Sequence, residues 1–461
     1  MTDAPSPCGG SAAVRFLERE APWLFDPKLA TCIVGSTALA IACEREGIPG
    51  PEPADLDLAW GLDVSLGEAL LRHRGVFLPS TSGNLDRGTL AMKLGGRRIE
   101  VTAFRAGSRA DPVPARIEAD LRARDMTIGA LAFELATGRV HDPLDGLSDY
   151  RARRVAPAGE AAERVREHPI RWLRYVRKAH ELGFDLDRGI RSLRLDPRIL
   201  RGVPAEAVSA EIRAALQKTL SPGRFFHELH EIGVLRELSE ELDGQFDGRP
   251  AGPQRWHPEI SQALHLVLSL DWARRHLDLA PEGDRLAVMV SVLLHDLGKS
   301  LTNPRELPGH PGHERKGIRP LRQFLARWKG LADQRAEHLA IAVCELHVEI
   351  RHLCELRKGT MVKLYDRTFR GSDFPVEAFA LAVAADSGGR LGHSDSGEDV
   401  YRRLLADIRW LRERCASVDA KALREQYPEL KRFKAALHQA RCQALSGRPD
   451  RSTPAADGPP R

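Results

Sequence analysis

The chain has 461 residues, of which 42% are apolar and 29% charged, and a formal charge of +5. That length exceeds what one hydrophobic core supports and calls for about two to four domains, in a composition that excludes disordered and fibrous classes. So small a net charge does not by itself argue for a nucleic-acid partner, which local arginine clusters would have to carry.

No apolar run reaches the ~18 residues of a membrane span, and Met1–Ala13 lacks the basic start and apolar stretch of a secretory signal. The seven cysteines are scattered without a C-x-x-C pair. That speaks against a zinc knuckle or a disulfide framework, and for a reduced, cytoplasmic setting.

Residues 1–29 read as an N-terminal extension. Between Ala30 and Arg105, β-rich runs at Thr31–Gly35, Asp55–Trp60, Leu90–Leu94 and Arg98–Phe104 alternate with helical or turn segments. This texture predicts a small mixed sheet with helices on it, a head over 30–150. Asp55-Leu56-Asp57 falls in a predicted strand, so both carboxylates share a face and repel each other unless a cation lies between them. They suit the Mg²⁺ of a nucleotidyl-transfer site, with a solvated strand face as the plain alternative. Ile33-Val34-Gly35-Ser36 comes earlier as a strand entering a tight turn and helix, whose N–H groups at Gly35 and Ser36 suit a triphosphate.

From about Arg116 the strand signals disappear. Arg171–Leu182, Ala207–Leu220 and Arg224–Leu242 show helical spacing between Gly and Pro breaks, giving a helical neck or body over 151–243. Pro169 suits a first helical turn. After it, Arg171, Arg174, Arg177 and Lys178 form one basic ridge, and Trp172, Val176 and Ala179 an inward stripe.

The stretch Asp243–Pro258 marks the next boundary, and 244–445 is helical again and holds most of the histidines. Its apolar run Leu286–Leu294 ends in His295-Asp296-Leu297-Gly298-Lys299. A buried carboxylate is costly unless paired or bound to metal. Imidazole and carboxylate together suit a divalent transition metal, or Mg²⁺ with more water. His265, in the helix predicted over Ile260–Leu270, and Asp386, after Ala378–Ala385, extend the set; His310, His313 and His347 are further candidates. Any one alone reads as an ordinary histidine or cap, but the ordered series His, His-Asp, His, His, Asp points to a metal. The Pro-, Gly-, Ser- and Asp-rich tail 446–461 is expected to be disordered.

This series resembles the HD superfamily of metal-dependent phosphohydrolases, with His265, His295, Asp296 and Asp386 matching its H…HD…D signature. Trp256-His257-Pro258-Glu259, Leu294–Lys299, His310-Pro311-Gly312-His313 and Val362-Lys363-Leu364-Tyr365-Asp366 resemble the HD domain of multifunctional CCA-adding enzymes. In the head, Ile99–Arg105 is similar to that family's strand after the metal site. Arg124–Ala132 resembles its R-R-D-x-T-x-N-A-L-A motif, Asp142–Asp149 its D-P-x-x-G-x-x-D loop, and Glu167–Arg174 its E-D-P-L-R-x-L-R helix. The resemblance spans roughly Thr31 to Arg390.

What it implies is an α+β class II nucleotidyltransferase: a small mixed-sheet head, an all-α body and an all-α HD domain. The expected activity is transfer from ATP or CTP to the 3′ ends of tRNA or other RNA. A phosphatase, 2′-nucleotidase or 2′,3′-cyclic phosphodiesterase would be fused to it. Asp55 and Asp57 would hold Mg²⁺, and Gly35, Ser36, Arg124, Asp125, Arg171 and Arg174 the nucleotide. His265, His295, Asp296 and Asp386 would hold Ni²⁺, Mn²⁺, Co²⁺ or Mg²⁺. The chain departs from the pattern in nucleotide handling. Leu39 and Ala40 replace the arginine and aspartate of G-G-x-x-R-D, Ala123 an arginine, Gly129 an asparagine, and His168 the base-reading aspartate. The rival is therefore an HD hydrolase whose degenerate head only binds RNA; a non-catalytic tRNA-binding protein would leave two charged clusters uncompensated.

Overall fold

The apolar runs near the N-terminus pair into one mixed sheet in a computed structural model that describes residues 11–447, apart from 53–54, 80–84, 86, 109 and 393. Residues 1–10, and 448–461 of the tail expected to be disordered, lie outside the described residues. The strands are β1 (Cys32–Val34), β2 (Asp57–Trp60), β3 (Phe77–Leu78), β4 (Thr89–Leu94), β5 (Arg97–Ala103), β6 (Ala132–Glu134) and β7 (Val140–His141). Their order is β3-β4-β5-β2-β1-β6-β7. β2 and β5 run parallel with Asp57 opposite Glu100, and the other pairs are antiparallel. Cys32, Val34, Ala59 and Ala132 pack against Ile117 and Leu121 of the helix Val113–Arg122. Each leucine or isoleucine fully buried this way contributes about 1.5–3 kcal/mol.

Two sequence expectations need correction here. Strands do not end near Arg116: β6 and β7 extend the sheet, and β8 (Arg154–Val155) pairs in parallel with β9 (Asp185–Leu186). Leu131–Leu135 is buried at every position, so it lacks the alternation that marks a half-exposed strand. The strand expected from Asp55 begins at Asp57, which leaves Asp55 in the bend before it.

The chain divides into two compact units, residues 1–179 with 183–195 and residues 180–182 with 196–461. Among its described residues the second unit has helices and no strand, only an isolated bridge between Pro250 and Ser261. The expected helix Arg224–Leu242 is instead three, Pro222–Glu231, Leu235–Leu238 and Glu240–Asp243. Gly233, at φ +76°, ends the first with the left-handed residue that lets the chain turn away.

The helix Val376–Gly388 is buried at every position but Glu377, as befits a segment apolar on all sides. Around it pack Gln262–Arg275, Arg285–Leu294, Gln334–Leu346 and Ser394–Ala416. No described helix is long and apolar enough to cross a membrane.

Candidate active sites

In the head, Gly35 begins the helix Gly35–Arg45 directly after β1, at φ +68°. A Cβ there would stand 4.0 Å from Asp57 Oδ2, so the helix start and the carboxylate face one point. Thr37 Oγ1 donates to the Asp55 carbonyl at 2.8 Å, fixing the bend that carries the first aspartate. The Asp57 carboxyl is pushed up by its enclosure and by the Asp55 and Glu100 carboxylates. Arg124 and Arg105 offset only part of this repulsion; what remains suits a divalent cation, so the residues present fit Mg²⁺. Sequence reasoning gave Glu100 no role, although its register opposite Asp57 brings it here.

The cations expected for a nucleotide come together, but already paired. Arg124 Nη2 is 3.0 Å from Asp120 Oδ2, Arg171 Nη1 2.8 Å from Glu167 Oε2, and Arg174 Nη1 3.0 Å from Asp125 Oδ2. Tyr175 donates its hydroxyl to the Asp125 carbonyl at 2.8 Å. The basic ridge is thus not an open solvated face. Arg171 is buried on the helix Ile170–Leu182, and Arg174 is half-buried against Asp125. Arg105, also without a role in the sequence reading, lies within electrostatic reach of Asp57, Arg124 and Arg171.

Behind them the 142–149 loop is structural. Asp142 accepts from Gly146 N and Leu147 N at 2.7 and 2.9 Å, and Asp149 accepts from Thr127 Oγ1 at 2.6 Å. His168 is exposed at the end of the helix Ala161–Glu167, and its carbonyl accepts from Arg171 N at 2.9 Å.

In the second unit the helix ends converge. Residue His265 lies in the first turn of Gln262–Arg275 rather than mid-helix. His295 follows Arg285–Leu294, His347 follows Gln334–Leu346, and Asp386 sits in the last turn of the central helix. Three of the histidines have their outer nitrogen hydrogen-bonded to a backbone carbonyl. His295 Nδ1 meets the Val292 carbonyl at 2.7 Å, His313 Nδ1 the His310 carbonyl at 2.8 Å, and His347 Nδ1 the Cys344 carbonyl at 3.0 Å. His265 Nδ1 lies 3.0 Å from Glu259 Oε1, close enough for the carboxylate to favour a proton there but without a hydrogen bond. A carbonyl or carboxylate accepts only from N–H, so the proton stays on Nδ1 and Nε2 is left with its lone pair pointing inward.

Those Nε2 atoms surround Asp296. His295 Nε2 is 3.2 Å from Asp296 Oδ2. On the other side, His313 Nε2 and His347 Nε2 lie 3.3 and 3.5 Å from Oδ1. His265 Nε2 is 3.3 Å from Asp386 Oδ1. Two three-ligand sets result, His265 with His295 and Asp386, and Asp296 with His313 and His347. Burial works against both carboxylates, yet both stay ionised well below the usual range, Asp296 through His295 and Lys299, Asp386 through Arg351, His265 and Arg390.

His265 Nε2, His295 Nε2 and Asp296 Oδ1 are buried without a hydrogen-bond partner, at a cost of about 1–3 kcal/mol for each such atom. A divalent cation in each ligand set would satisfy them, so these donors fit metal. His310 lines the same cavity but stands outside both sets. Thr302 Oγ1 and the Pro250 carbonyl hold its two nitrogens at 2.9 and 2.8 Å. At Gly298 a Cβ would strike the His313 carbonyl and lie 2.7 Å from Gly317 N, so only glycine lets the His313 segment approach.

Glu259, unassigned from sequence, accepts from His257 Nδ1 at 2.8 Å while facing His265. The cavity, about 610 Å³, is also lined by Arg255, Trp256, Lys299, Arg351, Arg390 and Arg403.

The Poly A polymerase head domain family matches residues 43–156. The solved Bacillus stearothermophilus CCA-adding enzyme in complex with CTP superposes with a TM-score of 0.59 at 18% identity, covering 95% of this chain and 93% of that one. A second structure, a tRNA-processing enzyme in its apo form I, gives 0.55 at 18% identity over 95% and 99%. The fold is therefore that of the CCA-adding enzymes.

The "Multifunctional CCA protein" of Methylococcus capsulatus is 34% identical over 345 residues, 71% of this chain and 75% of its own length. That of Xanthomonas euvesicatoria pv. vesicatoria is 35% identical over 294 residues, 62% and 68% of the two chains. The chain belongs to the multifunctional CCA protein family.

Proposed function

We propose that this protein transfers nucleotides from CTP and ATP to the 3′ end of tRNA, and that residues 244–445 form a metal-dependent phosphohydrolase. In the transfer, the RNA 3′-hydroxyl attacks the α-phosphorus and pyrophosphate leaves. Asp55 and Asp57, with Glu100 beside them, would hold Mg²⁺, which would neutralise the charge developing on the phosphates. Arg105 lies within electrostatic reach of Arg124 and Arg171, and Arg171 and Arg174 both reach Asp125. A nucleotide would be taken up by exchange of their carboxylate partners.

For hydrolysis, the observation that carries the reading is the convergence of buried, unpartnered ligand atoms on Asp296. His265, His295 and Asp386, and beside them Asp296, His313 and His347, would hold divalent ions of the Ni²⁺, Mn²⁺, Co²⁺ or Mg²⁺ type. Such ions would lower the pKa of water and offset phosphate charge. Water's oxygen then bonds to phosphorus as the ester P–O bond breaks, and the alcohol leaves with the proton. Lys299, 2.7 Å from Asp296 Oδ2, and Arg351, 3.4 Å from Asp386 Oδ2, supply fixed positive charge for the phosphate oxygens.

The rival, a head that only binds RNA, draws on Leu39, buried where an arginine is expected, and on the paired state of Arg171 and Arg174. The deciding assay incubates the protein with tRNA lacking its 3′ CCA and each labelled NTP. Extension supports transfer, and none with any NTP supports the rival.

A further inference from the structure

We propose that Trp256 is a specificity residue of the hydrolase cavity: its indole takes the base of the substrate by stacking while the cavity's cations take the phosphate. This rests on the phosphohydrolase reading above. Trp256 is 56% exposed and is the only exposed tryptophan among the described residues. A ring of that size is normally buried or used.

Its loop is built to present it. Trp256 N and His257 N both donate to the Pro253 carbonyl, at 2.9 and 3.1 Å, forming the tip. Ala251 N donates to the Ile260 carbonyl at 2.7 Å, and the bridge between Pro250 and Ser261 closes the neck. Ile260 holds a left-handed φ of 65° there, a conformation a β-branched residue adopts only when its surroundings impose it.

The platform is also tied to the metal-ligand shell. The residue after Trp256 hydrogen-bonds Glu259, which in turn faces His265 Nδ1. The tip is therefore held in register with the ligands by two side chains.

The charge around it separates two ends of a substrate. Lys299, Arg351, Arg390 and Arg403 line the cavity and suit a phosphate, whereas Trp256 and Val348 offer it apolar surface. The Arg255 guanidinium lies over one face of the indole, 5.3 Å from its centroid, and adds positive charge there. Hydrolysis of a simple phosphoester needs only the cationic end and leaves the indole unexplained. Ile260 and Leu264 are exposed as well, but they do not line the cavity, which separates Trp256 from a patch for protein docking. Stacking is tolerant of base identity because every base has a π-face.

The test measures phosphate release from adenosine 2′-monophosphate and from β-glycerophosphate, which has no base, for wild type, Trp256→Ala and Trp256→Phe. The ratio of kcat/KM for the nucleotide to that for glycerophosphate is expected to fall about tenfold in Trp256→Ala and to stay near wild type in Trp256→Phe. An unchanged ratio in Trp256→Ala, or equal recovery of both substrates with no preference in the wild type, overturns the proposal. If the wild type hydrolyses neither compound with any divalent metal, the phosphohydrolase reading fails instead. The platform then stands or falls on binding. Quenching of tryptophan fluorescence by adenosine 2′-monophosphate that disappears in Trp256→Phe supports it, and quenching that persists there, or is absent from the wild type, overturns it.

Discussion

Asp125 Oδ2 lies 3.0 Å from Arg174 Nη1, so the carboxylate that follows Arg124 neutralises one of the arginines expected to hold a nucleotide. Enclosure alone would push the Asp125 carboxyl up; Arg174 and then Arg171 outweigh it and hold it below the usual carboxylate value. A depressed carboxyl stabilises the fold above its unfolded value of about 3.9, and the gain is lost as pH falls through the folded value. Arg174→Ala is expected to lower stability at pH 7 by only about 1 kcal/mol, because solvent screens a pair this exposed. Urea titrations check the sign: the wild-type advantage should shrink in strong acid, and an advantage that grows there would refute the assignment.

Asp57 faces Glu100 across a parallel strand pair. Asp57→Ala should reduce nucleotide transfer about a thousandfold or more, since several kcal/mol of phosphate charge stabilisation go with the cation. The wild type itself should be slow and weakly selective between CTP and ATP. Leu39 forgoes a charge-assisted phosphate contact of about 1.5–3 kcal/mol, and His168 presents an imidazole where a carboxylate would read the base edge. His168→Asp is expected to sharpen that selectivity in single-turnover extension assays. Fast, faithful addition of C, C and A by the wild type would show that other residues have rebuilt the pocket.

Asp296 touches both ligand sets. Asp296→Ala should strip the bound divalent metal, measured by elemental analysis, and cut phosphoester hydrolysis by at least about a hundredfold, more than loss of a supporting residue usually costs. Retained metal with unchanged turnover would sink the site.

Glu259 is expected to act through His265 and not on a substrate. Glu259→Ala should weaken metal affinity about 10- to 100-fold in chelator competition. Turnover at saturating metal should change less. Glu259→Gln keeps an acceptor for His265 Nδ1 and should recover part of the loss; equal loss in both variants would mark a merely structural role.

The two sites were not equally legible from sequence. His295 and Asp296 are adjacent and end an apolar run, so their burial and their chemistry could be read from one short segment. His310 and His313 share one loop and look alike in sequence, yet His310 is held by Thr302 and Pro250 while His313 faces Asp296. Only the fold separates them. Glu100 and Arg105 escaped notice because their proximity to Asp57 depends on strand order, which no local pattern encodes. Glu259 was hidden by the turn between it and His265. β6 to β9 are two or three residues long, too short for a period to show.

The 250–261 loop closes on its own backbone at the neck, with Ala251 N on the Ile260 carbonyl, while His257 and Glu259 stay locked behind the tip. A displacement of the tip that the neck does not absorb would therefore be passed through His257 and Glu259 to the His265 imidazole.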